Sequence, residues 1–321
     1  MREMKEKPPL DGNLAEASRE ARKTGNFPSR ISRYAKAHQR TLEMSEYISS
    51  VIKDNHNLAR QLGGLPHRLQ SCGEYLLFRN YYTIEEIRLH KASFCMKHLL
   101  CPLCAMRRTL KVSGAYLDRF NTILLSNPGL EPYFVTVTSQ NGPDLSERFD
   151  HNRRSYKKMT EQRYEAARGR RSLIEMNKAL GGVHTFEVKK GSGSGQWHVH
   201  NHAIWLCREK PWETRLSDEW KEITGDSYIV DVKPLDKEKD PLLMFFETFS
   251  YALKLSTLTK EENLAAFRIL AGKRMINSFG LFRGVQVPED LNDIPLEDLP
   301  YIELLYRYMH ESSSYHKAPS S

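Results

Sequence analysis

The 321 residues contain no run of about 18 consecutive apolar side chains, which excludes a membrane-spanning helix. The opening stretch, Met1-Arg2-Glu3-Met4-Lys5-Glu6-Lys7-Pro8-Pro9, lacks the apolar core of a secretory signal, so a cytoplasmic protein is expected. Cysteine is scarce: five residues are too few for a disulfide scaffold at this length, and in a reducing compartment they read as thiols or metal ligands. The glycine-rich stretch from Lys189 to Gly195 is not followed by Gly-Lys-Ser/Thr and a helix, which excludes a P-loop. No βαβ pattern surrounds the one Cys-x-x-Cys, so a thioredoxin-like redox role finds no support. There is no internal repeat. Acids are outnumbered, 40 to 48 Lys and Arg, and the net charge of +8 favours a polyanionic partner.

What is present is concentrated in two clusters. In the first, Cys101-Pro102-Leu103-Cys104 forms a knuckle whose turn brings two thiolates to one zinc ion. Cys95 lies close by, and Cys72 supplies a fourth ligand from the preceding hairpin, with His90 or His98 as substitutes for one cysteine. Cys207 stands apart as a core thiol. The knuckle opens into Arg107-Arg108 and a helix, a basic start suited to nucleic acid.

The second cluster is Trp197-His198-Val199-His200-Asn201-His202, followed by the apolar run Ala203-Ile204-Trp205-Leu206. A strand alternates its side chains, so the three histidines share one face. Imidazole is the commonest divalent-metal ligand near neutral pH. Lys189–Gly195 reads as a hairpin loop joining this strand to Val183–Val188. Pairing across that loop brings Glu187, or His184, towards the histidines. A carboxylate beside two imidazoles suits Mg2+ or Mn2+. Which two histidines are primary ligands stays open at this point.

The rest of the chain supplies a frame. Residues 1–62 read as a basic, partly helical extension, with helical spacing over 41–62. Residues 63–112 form the zinc module, with a strand at Tyr75-Leu76-Leu77-Phe78 and a helical segment after it. Strands are expected at about 133–139, 183–188, 197–206 and 228–232. A long helix runs from about Leu145 to Leu180, stopped by Gly181-Gly182. Its cations Arg153, Arg154, Lys157 and Lys158 form a candidate DNA-backbone track. Helices follow at 212–223, at 241–254 and within 261–285. Residues 261–321 are a C-terminal segment whose Tyr301, Leu304, Leu305, Tyr306 and Tyr308 are expected to pack as a last helix. The class is α+β, an antiparallel central sheet with flanking helices, preceded by the zinc module.

Four motifs in this order resemble the rolling-circle replication initiator (Rep) proteins of small plasmids, within the HUH endonuclease superfamily. They are the cysteine cluster with Arg107-Arg108, the strand Phe134-Val135-Thr136-Val137-Thr138, the histidine strand, and Glu247-x-x-x-Tyr251-x-x-Lys254. The resemblance covers about Cys72 to Phe282. It implies a palm-like sheet over 113–260 and a nicking reaction at a plasmid origin. Tyr251 would attack the phosphodiester, join the 5′ phosphate and free a 3′ hydroxyl. His200 and His202 would hold the ion, with Glu187 or His198 completing the site. Lys254 would neutralise phosphate charge, and Glu247 would activate water for hydrolytic release at termination. Implied partners are origin DNA, a host helicase and a DNA polymerase, with a homodimer left open. The competing classes are an HUH transposase or relaxase, a non-catalytic zinc-containing DNA-binding regulator and a metal-dependent hydrolase. The first would show Tyr-x-x-x-Tyr or a tyrosine before the histidines. The second leaves the histidine strand unexplained, and the third has no use for Tyr251.

Overall fold

The computed structural model describes residues 23–191, 193–235, 241–253 and 258–319, with the backbone alone for 241–243 and 251–253. In chain order, helices α1 (Phe27–Lys53), α2 (His56–Leu62) and α3 (Leu65–Gln70) precede strands β1 (Tyr75–Tyr81) and β2 (Glu86–Ala92). Helix α4 (Pro102–Ser126), strand β3 (Glu131–Thr138) and helix α5 (Leu145–Ala167) follow. Then come β4 (Ala179–Lys190), β5 (Trp197–Cys207), α6 (Glu213–Thr224), β6 (Val230–Pro234), α7 (Pro241–Leu253) and α8 (Lys260–Leu270). The last strands are β7 (Ile276–Gly280), β8 (Ile302–Met309) and β9 (Ser314–Lys317). The result is α+β, with antiparallel sheets and flanking helices. Among the described residues no helix is long and apolar enough to cross a membrane.

Two compact units divide the chain, one of residues 1–96 and 290–321 and one of residues 97–289. The boundary therefore falls inside the segment 63–112, which the sequence presents as one module, and residues 290–321 belong with the N-terminal residues. In the first unit a four-stranded sheet runs in the order β2-β1-β8-β9. Helix α1 starts at Phe27-Pro28, where proline's missing N–H costs nothing, and buries Phe27, Tyr34, His38, Thr41, Met44 and Ile48 at helical spacing. Arg30 on the same face forms a buried ion pair with Asp293 at 3.0 Å. Two expectations are corrected here. Residues 86–92 form a strand, not the helical segment expected after Phe78. Ile302–Met309 is also a strand: Tyr306 and Tyr308, two apart, share one face, where Tyr306 meets Phe27 and Phe78, and Tyr308 meets His38. The partner that makes β8 a strand, β1, lies more than two hundred residues earlier.

The second unit is built on a five-stranded antiparallel sheet in the order β6-β3-β5-β4-β7. The four strands expected from sequence are its first four members, and β7 adds an edge. Alternation gives each face its own core. On one face Val183, Ile204 and Leu206 pack with Val112, Tyr116 and Phe120 of α4 and Phe245 and Phe249 of α7. On the other, Val135, Val137, Ala203 and Trp205 pack with Tyr156 and Met159 of α5 and Leu216 and Trp220 of α6. Helix α5 starts where Asp144 accepts a hydrogen bond from the Glu147 N–H at 3.0 Å, and it ends at Ala167, not Leu180. The stop is Gly169 at φ 71°, a left-handed conformation that favours glycine. Gly181 and Gly182 lie inside β4 instead. A Cβ on Gly182 would come within 2.7 Å of the Phe279 ring and 2.8 Å of the Ile204 carbonyl oxygen, so close approach is what that glycine provides.

Candidate active site

The centre of the five-stranded sheet is β5, flanked by β3 and β4. Its register sets His200 opposite Glu187 on one side and Thr138 on the other, and His202 opposite Thr185 and Thr136. Residues opposite each other share a face, so the histidines and Glu187 converge on the side covered by α4 and α7. His200 and His202 are buried at 6 % and 7 % exposure. One ligand atom from each of Glu187, His200 and His202 lies within 4.8 Å of the other two. Glu187 Oε2 is in contact with His200 Nε2 and lies 2.9 Å from His202 Nε2. His184, the other candidate for the third ligand, points to the opposite face and stacks on Tyr156 at 3.8 Å between ring centroids.

His198 stands outside this group of three and bonds to it. Its Nδ1 lies 2.5 Å from Asn141 Oδ1, and its Nε2 lies 3.0 Å from His200 Nδ1. The amide of Asn141 donates its own N–H to Ser194 Oγ at 3.3 Å, so its oxygen is the acceptor for His198. A neutral His198 then donates from Nδ1 and accepts at Nε2, and His200 donates from Nδ1. That leaves a lone pair on His200 Nε2, directed at a carboxylate oxygen that is itself only an acceptor.

The proton balance points the same way. Burial pushes the His200 imidazole down to about 4, against the opposing pull of Glu187, so the ring is neutral at neutral pH. Burial, joined by the charge of Lys189, also lowers His198. Burial alone would raise the Glu187 carboxyl, but contact with His200 and His202 holds it well below the usual carboxylate range. The hydrogen bond to His200 behind that depression needs a proton on its Nε2, which its burial and its bond to His198 leave absent. The unprotonated His200 Nε2, the His202 Nε2 and a Glu187 carboxylate oxygen then face one another at one point. This donor set fits a divalent cation, and the outer bonds to Asn141 and, from His202 Nδ1, to Thr136 Oγ1 at 3.2 Å orient the rings.

Helix α7 is fixed to the same face. Phe245 and Phe249 enter its core, and the Thr185 hydroxyl donates to the Thr248 carbonyl at 3.1 Å. Thr185 is two residues from Glu187, so the anchor sits beside the ligand group. Tyr251 follows Thr248 by three residues, about one turn; its backbone is in α7 and its side chain is outside the described residues. Glu247 is exposed on the same helix. Lys254 lies outside the described residues.

The four cysteines Cys72, Cys95, Cys101 and Cys104 are all buried. Cys101 also caps α4, accepting the Cys104 N–H at 3.4 Å. This set is compatible with a zinc module. A model of the Replication protein family matches residues 86–304.

The chain belongs to that family. It is 25 % identical over 261 residues to "Protein rep" of Lactiplantibacillus plantarum, covering 74 % of this chain and 78 % of that one. It is 24 % identical over 254 residues to "Protein rep" of Streptococcus pneumoniae, with coverage of 74 % and 76 %. A third relative, "Protein rep" of Bacillus amyloliquefaciens, is 28 % identical over 148 residues, 44 % of this chain and 39 % of its own length. No solved structure matches the chain. The likeness to plasmid replication initiators read from the four motifs is thus borne out at the level of the family, and membership supports a role in plasmid replication.

The basic residues are placed unequally. Arg107 is 2 % exposed and turned into the protein, so it offers no guanidinium to solvent, while its neighbour Arg108 is half-buried and donates to the Pro288 carbonyl at 2.7 Å. Consecutive helical residues face directions about 100° apart, and the sequence pair hides that difference. Arg153, Arg154, Lys157 and Lys158 are exposed on α5, which packs on the face of the sheet opposite the histidines. Thr136 and Asn141 are participants that sequence reasoning does not single out. Thr136 is visible on the Phe134-Thr136-Thr138 face, whereas Asn141 reads from sequence only as a turn residue.

Proposed function

We propose that this Replication protein initiates rolling-circle replication by nicking one strand at a plasmid origin. The observation that carries the reading is the convergence of Glu187, His200 and His202 beneath the helix that bears Tyr251. We read the five-stranded sheet as the palm of an HUH-type endonuclease. The Tyr251 oxygen attacks the scissile phosphorus, its O–P bond forms, the bond to the 3′ oxygen breaks, and the phenol proton ends on the released 3′ hydroxyl. A free tyrosine loses its proton near pH 10, so the site has to stabilise charge on the phosphate. A bound Mg2+ or Mn2+ supplies that stabilisation as a Lewis acid held by Glu187, His200 and His202. Lys254, three residues after Tyr251, adds a positive charge. Glu247, one turn before Tyr251, is placed on the helix to take a proton from water and release the chain by hydrolysis at termination. The free 3′ hydroxyl then serves a host polymerase, with a helicase opening the duplex. The cysteine set holds a structural Zn2+.

The test is a covalent adduct. The protein is incubated with labelled single-stranded origin DNA and Mn2+ and run on a denaturing gel. The wild-type chain is expected to carry label and Tyr251→Phe to carry none. An adduct with Tyr251→Phe sinks the nucleophile assignment, and nicking with no adduct in the wild type favours a water-dependent hydrolase.

A further inference from the structure

One cavity of about 790 Å³ in the second unit collects basic side chains from three separate segments. Arg108 comes from α4, Lys273 and Arg274 from the turn before β7, and Arg283 from the segment after it. Among the described residues no acidic side chain lines the cavity. Two of the four cations are engaged. Lys273 pairs with Asp150 at 3.3 Å, and Arg108 donates to the Pro288 carbonyl and feels the charge of Glu289. Arg274 and Arg283 are exposed. Arg283 lies over the Tyr164 ring at 5.0 Å, and neither arginine has an ion-pair partner among the described residues. The lining between them is mixed: Ile276, Val285 and Val287 are half-buried and apolar, and Asn277, Ser278 and Gln286 are polar.

Its position relates it to the ligand group. Ile276 is opposite Thr185, and the ladder continues one step, where the Phe186 N–H donates to the Met275 carbonyl at 3.1 Å. Ile276 and Thr185 share a face, and Glu187 follows Thr185 on that face at roughly 7 Å. The groove therefore begins one strand away from Glu187, on the side of the sheet that carries the histidines. Half-buried apolar side chains and amides set among cations take unstacked bases beside phosphates, a combination a duplex cannot use because its bases are stacked inside.

We infer that this groove binds the backbone of a single-stranded DNA segment flanking the phosphate to be cleaved. The inference rests on the nicking reading and names residues for its substrate. Affinity of the full chain for a labelled oligonucleotide, single-stranded and then as a duplex, is measured by fluorescence anisotropy across a salt series. The variants are Arg274→Glu/Arg283→Glu, the milder Arg274→Gln/Arg283→Gln, and Arg153→Glu/Arg154→Glu on the opposite face. The groove variants are expected to bind single strands about ten-fold more weakly or worse, with the salt slope reduced by about 0.7 for each phosphate no longer neutralised. Their melting temperature and Mn2+ affinity should match the wild type, and the opposite-face variant should lose less. Unchanged single-strand affinity and slope in both groove variants overturns the inference, as does a loss confined to the duplex. If the wild type forms the Tyr251 adduct while the groove variants bind normally, the groove fails and the nicking reading stands. If the groove variants lose affinity but no adduct ever forms, the groove stands and the nicking reading fails.

Discussion

Replacing His198 by alanine tests whether this ring holds the ion or holds His200. Its Nε2 is 3.0 Å from His200 Nδ1, and its Nδ1 is 2.5 Å from Asn141 Oδ1. Loss of the His198–His200 bond removes a neutral hydrogen bond of about 0.5–1.5 kcal/mol. It also frees His200 to adopt the tautomer that blocks its ligating nitrogen. Outer partners of metal-bound histidines typically contribute about 10- to 100-fold in affinity. His198→Ala is therefore expected to weaken Mn2+ binding by about 10-fold, or about 1.4 kcal/mol, with the stoichiometry unchanged. Asn141→Ala, one bond further out, should cost less. His200→Ala removes a ligand outright and should cost more than either. Calorimetric titration of Mn2+ into the purified chain reads all three, with circular dichroism confirming the fold. Wild-type affinity in His198→Ala would refute the relay. A loss as large as that of His200→Ala would make His198 a ligand in its own right.

Other consequences follow from single contacts. Asn201 is fully buried at 0 % exposure, and neither polar atom of its side chain has a hydrogen-bond partner among the described residues. Asn201→Leu is expected to stabilise the chain by about 1–3 kcal/mol in urea unfolding, and a loss of stability would contradict this. Burial holds His184 down to about 3 in the folded chain against 6.5 as its ordinary value. The unfolded chain thus binds the extra proton between those values, and the stabilisation present above about pH 6.5 drains away as pH falls towards 3. The effect is at most about 5 kcal/mol, and His184→Phe should flatten the acid limb of a stability–pH curve. Thr185→Val deletes the donor to the Thr248 carbonyl and should cost about 1–3 kcal/mol, while lowering adduct yield at temperatures where the fold is intact. Wild-type protein should release one zinc per chain to a chromogenic chelator after thiol modification, and Cys101→Ser none; zinc retained by that variant counts against the cysteine site.

Four of the five strands of the central sheet are legible in the sequence because each is β-branched or aromatic and bounded by turn residues, and the histidine face follows from period two alone. Other features are not legible there. Strands β7 and β8 take their identity from partners β4 and β1 that lie far away in sequence, and no local pattern announces such pairing. The end of α5 is masked because Gly181-Gly182 looks like a helix stop, while its actual use is to let Phe279 and the Ile204 carbonyl approach. The bond between His198 and Asn141 crosses 57 residues, and the basic groove is assembled from three segments whose charges are ordinary one at a time.

The ligand group is carried by the two arms of one hairpin, and this makes strand register a condition of chemistry. Sliding β4 past β5 by one residue would turn Glu187 to the opposite face and leave two imidazoles without their carboxylate. Sliding by two would restore the face but seat Glu187 opposite His198 or His202. Either slip breaks the present alignment of Glu187 with His200. Changes of length in the glycine loop are harmless only when the ladder from Lys190↔Trp197 to Thr185↔His202 keeps its alignment. The length of the glycine loop thus decides whether Glu187 meets the imidazoles.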